Sequence, residues 1–84
     1  MIDLKQIQLF GTLACHLCEQ AQEILREFEQ KGQISLIHCD IVDEPQWLEL
    51  YRIRIPVVAY GDQELGWPFD AETVASWLKK LDAK

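Results

Sequence analysis

The sequence predicts an α/β domain with elements in the order β-α-β-α-β-β-α and a four-stranded mixed sheet flanked by helices. Three observations carry that reading. An alternating polar–apolar run over residues 5–10 and a β-branched, apolar run over 33–39 enclose a stretch with helical apolar spacing, which is the pattern of two parallel strands joined by a right-handed crossover. Past Pro56, two short apolar runs are separated by Gly61-Asp62, the signature of an antiparallel hairpin. A last amphipathic segment follows Asp70. The 84 residues suffice for one hydrophobic core, so residues 1–84 read as a single domain, and 49% apolar content argues against disorder.

Each element has a local cause. Lys5-Gln-Ile-Gln-Leu-Phe10 alternates and stops at Gly11, so it reads as a strand followed by the loop Gly11–Ala14. From Cys15 to Gln30 the residues Leu17, Cys18, Ala21, Ile24, Leu25 and Phe28 recur at three- and four-residue steps, one face of a helix that Gly32 terminates. Gln33–Cys39 reads as the second strand. Asp43-Glu44-Pro45 looks like a helix start, with Asp43 as cap and Pro45 in the first turn, where its missing N–H costs nothing. That helix passes through Trp47, Leu48, Leu50 and Tyr51 and is broken by Ile55-Pro56. Val57–Tyr60 is the third strand and Glu64–Trp67 the fourth. Asp70 then caps a helix whose apolar residues are Val74, Trp77, Leu78 and Leu81.

The formal charge of −6 disfavours nucleic acid, whose phosphates need clustered Lys and Arg, and equally disfavours an anionic membrane surface. Met1–Ile7 holds no basic leader with an apolar run, and no segment approaches the roughly 20 apolar residues that span a bilayer. A cytoplasmic monomer is therefore expected. Three cysteines, an odd number, do not close a disulfide framework. In a reducing compartment a close pair is more often catalytic or metal-binding.

Cys15-His16-Leu17-Cys18 lies where the first loop becomes the first helix. Unpaired N–H groups there carry partial positive charge and stabilise a thiolate, the attacking species in disulfide exchange. Within one helical turn Cys18 reaches a mixed disulfide on Cys15, so Cys15 reads as nucleophile and Cys18 as resolving thiol. Two other readings use the same residues. A zinc site would recruit His16, His38 or Cys39, although no second C-x-x-C exists. A purely structural pair of buried thiols would carry no chemistry. Pro56 opens a strand; a cis Ile55-Pro56 bond would set the Ile55 backbone opposite the cysteine loop, and a trans proline would merely start the strand.

Together, Phe10–Ala21, Arg54-Ile-Pro-Val-Val58 and Gly66-Trp-Pro-Phe-Asp70 resemble a short-chain branch of the bacterial glutaredoxin-like proteins, across essentially the whole chain. The resemblance implies a thioredoxin-like fold, a cis proline at Pro56, a redox-active Cys15 and Cys18 as its internal partner. Substrate contacts are expected at Thr12, His16, Arg54, Ile55, Pro56 and Asp70. Thr12 stands where glutaredoxins carry a basic residue, Arg54-Ile55-Pro56 where they carry Thr-Val-Pro, and Asp70 is the one match to their Gly-Gly-x-Asp stretch. In thioredoxin a Trp occupies the position of Ala14 and a buried Asp that of Leu9.

The expected function is thiol–disulfide exchange on proteins or glutathione mixed disulfides, with no bound cofactor, no metal, and glutathione as a possible reductant. The alternative is a binding or redox-sensing module with little turnover. His16 reads as a thiolate-stabilising or solvent-facing residue, Glu19 as an opposing charge, and Cys39 as a buried thiol or third redox partner. His38 reads as a strand residue without chemistry. Trp47, Trp67 and Trp77 read as packing residues, with Trp67 and Phe69 alternatively lining a groove.

Overall fold

A computed structural model of the chain describes residues 5–82; the first four residues, part of the segment read above for a leader, lie outside the described residues. The elements are β1 (Lys5–Gly11), α1 (His16–Gln30), β2 (Ile34–Asp40), a 3-10 turn (Ile41–Asp43), α2 (Pro45–Tyr51), β3 (Val57–Tyr60), β4 (Gln63–Gly66) and α3 (Ala71–Asp82). The sheet order is β2-β1-β3-β4. β1 and β2 are parallel, with Leu9 beside His38 and Phe10 beside Cys39. β3 runs antiparallel to both β1 and β4. The order and the mixed pairing are those the apolar periods predict.

Strand alternation divides the core in two. Ile7, Leu9 and Val58 face one side and pack with Ala21, Leu25 and Phe28 of α1 and Val74, Trp77 and Leu81 of α3. Phe10, Val57 and Ala59 face the other side, under Tyr51 of α2. There Phe10 stacks on Tyr51 with ring centroids 4.4 Å apart and meets Trp47 edge-on at 5.3 Å. All three tryptophans pack helices or strand ends against the sheet, and Phe69 is buried beneath Trp67 rather than lining a groove. Among the described residues no helix is long and apolar enough to cross a membrane.

Several boundaries differ from expectation: β1 takes in Gly11 and β2 runs one residue later than read. Asp43 does not cap α2. It ends the 3-10 turn, which is capped by Asp40, whose Oδ1 accepts from Val42 N at 3.2 Å. Pro45 takes the first helical position, so the residue before it, Glu44, becomes the N-cap, and it makes no side-chain capping bond. β4 spans Gln63–Gly66, one residue earlier than expected, because the tight turn at Gly61 (φ 61°) lets Gln63 pair directly with Tyr60. Asp70 caps α3 as read, its Oδ1 accepting from Thr73 N and Thr73 Oγ1 at 2.8 Å each.

Leu25 is fully buried between α1 and the sheet, whereas Leu17, on the first turn of the same helix, is 44% exposed. Leu25→Ala should lower unfolding free energy by about 2–5 kcal/mol in denaturant titrations, and Leu17→Ala should change it by less than about 0.5 kcal/mol.

Candidate active site

β1 ends in the middle of the sheet, and the chain must turn sharply to enter α1. Ala14 makes that turn at φ 61°, a left-handed conformation that glycine adopts more readily. The turn delivers Cys15 to the N-cap of α1. Its Sγ accepts a hydrogen bond from Cys18 N at 3.2 Å, so an orphan amide of the first turn points at this sulfur. Cys15 and Cys18 are joined as a disulfide with Cα atoms 5.2 Å apart. Their environments differ: Cys15 is half-buried, while Cys18 is buried at 8% exposure.

Cys18 is covered by Gly11. A Cβ built there would lie 3.0 Å from Cys18 Sγ and 3.2 Å from its Cβ. Gly11 is held in register beside Asp40 of β2, so the strand cannot easily retreat. The requirement for glycine at this position is therefore one of space. A cleft of about 180 Å³ opens beside the same sulfur, lined by Gly11, Thr12, Leu13, Gln22, His38 and Asp40 among others.

On the other side of β1, Phe10 pairs with Val57. One further step along that antiparallel ladder brings Pro56 abreast of Gly11 and sets the Ile55–Pro56 segment at the sheet end where the cysteine loop emerges. Pro56 is buried, Ile55 is half-buried, and the bond between them is cis. Trp67–Pro68 is a second cis bond, which no sequence signal singled out. The Pro56 carbonyl accepts from Trp67 N at 3.1 Å, extending the β3–β4 ladder toward this end.

The segment before Pro56 is tied down by a polar cluster. Tyr51 O–H donates to Glu64 Oε2 and Arg54 Nη2 donates to Glu64 Oε1, each at 2.7 Å, and the guanidinium lies 5.3 Å from the Tyr51 ring centroid. Those two donors hold the Glu64 carboxyl below the usual carboxylate range. Burial and the hydrogen bond to Glu64 push the Tyr51 phenol upward. Sequence reading missed Glu64 because its partners lie 13 and 10 residues away, across the break at Pro56.

The remaining expected site residues fall into three groups. Thr12 is half-buried at the cleft beside Cys18. His16 points into water at 93% side-chain exposure, its Nδ1 lying 3.3 Å from Glu19 Oε2. Arg54 is engaged with Glu64, and Asp70 with the start of α3. The hydrogen bonds that Thr73 N–H and its hydroxyl donate hold Asp70 below the usual carboxylate range. Cys39 belongs to the core on the α2 face, opposite α1 and Cys18, and burial pushes its thiol upward. Cys39 is buried, and the residue also borders the cleft beside Cys18. Among the described residues no group of three or more His, Cys, Asp or Glu side chains is disposed to hold a metal.

Comparison with known proteins agrees with this geometry. The model of the glutaredoxin-like domain (DUF836) matches residues 6–79. A Northeast Structural Genomics target from X. campestris, XcR50, is similar at 32% identity, covering 88% of this chain and 96% of that one with a TM-score of 0.75. Protein Ne2328 of Nitrosomonas europaea is 25% identical over 92% of this chain and 94% of that one, also with a TM-score of 0.75. Thioredoxin 1 of Thermosipho africanus, at 15% identity, covers 92% of this chain and 98% of that one with a TM-score of 0.63. The last likeness concerns the fold alone, which is thioredoxin-like.

Gly11→Ala should destabilise the oxidised protein by about 1–3 kcal/mol, read from denaturant midpoints, because the added methyl meets a sulfur that cannot move aside. A second outcome concerns pH. The folded-state pKa of Glu64 lies below its ordinary 4.5, so its ionised form stabilises the fold above that value and the contribution is lost as pH falls through the lower folded value. The stability gap between wild type and Glu64→Gln should be about 0.5–1 kcal/mol near neutrality and should close as the solution is acidified.

Proposed function

The chain belongs to the glutaredoxin-like domain family, and on that premise we propose that it is a thiol–disulfide oxidoreductase acting through Cys15 and Cys18. The observation that carries this reading is the asymmetry of the pair: a half-buried sulfur at a helix N-cap, joined to a buried one a single turn further on. In the reduced protein the Cys18 amide and the helix terminus favour the Cys15 thiolate. That thiolate attacks one sulfur of a substrate disulfide, forming a mixed disulfide and expelling the other sulfur as a thiolate that takes up a proton. The Cys18 thiol loses its proton and attacks Cys15 Sγ. The internal disulfide forms, the mixed disulfide breaks, and the second substrate sulfur leaves as a thiol. Two electrons have passed from the cysteine pair to the substrate. An external dithiol reductase or two glutathione molecules then restore the pair, in a cytosolic setting where such thiols are abundant.

Protein disulfides suit the surroundings better than glutathione. Leu13 and Ile53 are 85% and 89% exposed, and the topology places both at the sheet end that carries Cys15. Glutathione presents two carboxylates, yet Arg54 is already paired with Glu64 and Thr12 brings no charge. The same engagement of Arg54 supports the second reading, a thioredoxin-fold binding or redox-sensing module with little turnover.

Insulin and hydroxyethyl-disulfide reduction separate the two. An oxidoreductase should accelerate insulin reduction well beyond an equal concentration of free dithiol, and Cys15→Ser should abolish the acceleration. Cys18→Ser should accumulate a mixed disulfide visible by mass spectrometry. Wild type no faster than free dithiol establishes the module instead.

A further inference from the structure

The exchange reaction requires Cys18 to lose a proton from a place where water has little access, since its side chain is 8% exposed beneath Gly11. A thiolate formed there is poorly hydrated, so loss of the proton calls for an acceptor close by. The helix terminus does not resolve this, because its amide is directed at Cys15. A proton acceptor for Cys18 has to come from what lines the space beside it.

That space is the cleft between β1, β2 and the first turns of α1. At about 180 Å³ it accommodates several waters, each needing about 30 Å³. Leu9 and Gly11 of β1 line it without polar side chains, and Thr12 and Leu13 of the loop add one hydroxyl. Gln22 is the polar contribution of α1 and does not titrate. Titratable side chains come from β2. His38 is in register with Leu9, and neighbours in a parallel pair project to the same face, so its imidazole lies on the α1 side with Cys18. Asp40, two residues on, shares that face, but its Oδ1 is occupied in capping the 3-10 turn. Cys39, between them, also borders the cleft, but its side chain packs into the α2 core. Farther along α1, Glu29 is bonded to Leu36 N at 3.2 Å, and Arg26 is exposed.

We propose that His38 is the proton acceptor for Cys18, reached through water in this cleft, and that it sets the rate at which the mixed disulfide on Cys15 is resolved. The proposal rests on the exchange reading above. Neutral His38 takes the Cys18 proton and becomes imidazolium. The Cys18 thiolate attacks Cys15 Sγ, the internal S–S bond forms, and the bond between Cys15 and the substrate sulfur breaks. The imidazolium returns its proton to the departing thiolate. Imidazole is suited to this work because one ring nitrogen can accept a proton and release it again. His38 is solvent-exposed on its outer side, so the base regenerates without opening the core.

The test uses dithiobis-nitrobenzoate with the reduced full-length protein in a Cys39→Ala background. Attack by Cys15 releases one thionitrobenzoate, and attack by Cys18 on the resulting mixed disulfide releases a second. The first phase reads Cys15 alone, the second reads the proposal. In His38→Asn the second phase should slow about tenfold near pH 7, and the gap to wild type should close as rising pH lets hydroxide remove the proton. Free imidazole should restore the second phase of His38→Ala while leaving wild type unchanged, and Asp40→Asn should keep most of the wild-type rate. A second phase in His38→Asn equal to wild type across the pH range overturns the proposal. So does a slowing that persists at high pH and does not respond to imidazole, since that marks a packing effect. Loss of the first phase in wild type overturns the exchange reading itself, and the role of His38 with it.

Discussion

Between Gly11 and His16 the chain leaves the central strand and returns as a helix, and the gap between the two is only as wide as a hydrogen on Gly11 permits. That close approach fixes the rest. With β1 and the first turn of α1 in contact, Cys18 is forced beneath the strand and left only 8% exposed, at the edge of the cleft. Cys15, three residues earlier, is left at the helix mouth with a backbone amide directed at its sulfur. A wider gap would expose both sulfurs alike, and the asymmetry on which the proposed exchange rests would vanish. The left-handed turn at Ala14 is the local cost of so abrupt a reversal. It is borne by the smallest side chain that is not glycine.

The β2-β1-β3-β4 order then decides what surrounds the pair. β1 is central, so its end is flanked by β2 on one side and by the approach to β3 on the other. Pro56 arrives from the β3 side, in a segment pinned by the Tyr51–Glu64–Arg54 cluster and packed on the α2 core. The cleft with His38 and Asp40 lies on the β2 side. The two flanks differ in chemistry. On the β3 side, backbone and aliphatic groups are presented to an incoming chain; on the β2 side, polar groups meet a water-sized space. The two flanks are separated by the width of one strand.

Much of this was legible in the residues because local signals dominate it. The helical spacing of Ala21, Leu25 and Phe28, the Gly61 turn and the Asp70 cap each act within a few residues of themselves, and the structure realises all three. The C-x-x-C pair was legible for the same reason: its partners are one helical turn apart. What escaped notice depends on pairing across the sheet. Glu64 binds residues on the far side of Pro56, and nothing in Gln63–Gly66 marks it as more than a hairpin carboxylate. The face on which Cys39 packs needed strand register, since a one-residue shift moves a side chain from one core to the other. Asp43 looked like a cap because capping residues and turn residues are the same types, and the proline that follows fixes the helix start one residue later than Asp43 allows.

Register also explains why His38 looks inert in sequence and not in space. On an edge strand a histidine flanked by Ile37 and Cys39 reads as ordinary strand filler. Placed beside Leu9, it approaches Cys18 from β2, as Asp40 does, without entering the core, while β1 itself offers only Leu9 and Gly11 there. An ionisable residue on the central strand would have to be buried and would bear the desolvation that burial imposes on charge. The same function on the edge strand avoids that cost, since an imidazolium half in water stays solvated. A proton acceptor on β2 is therefore compatible with an apolar β1, and the leucine at position 9 leaves the central strand free to serve as core.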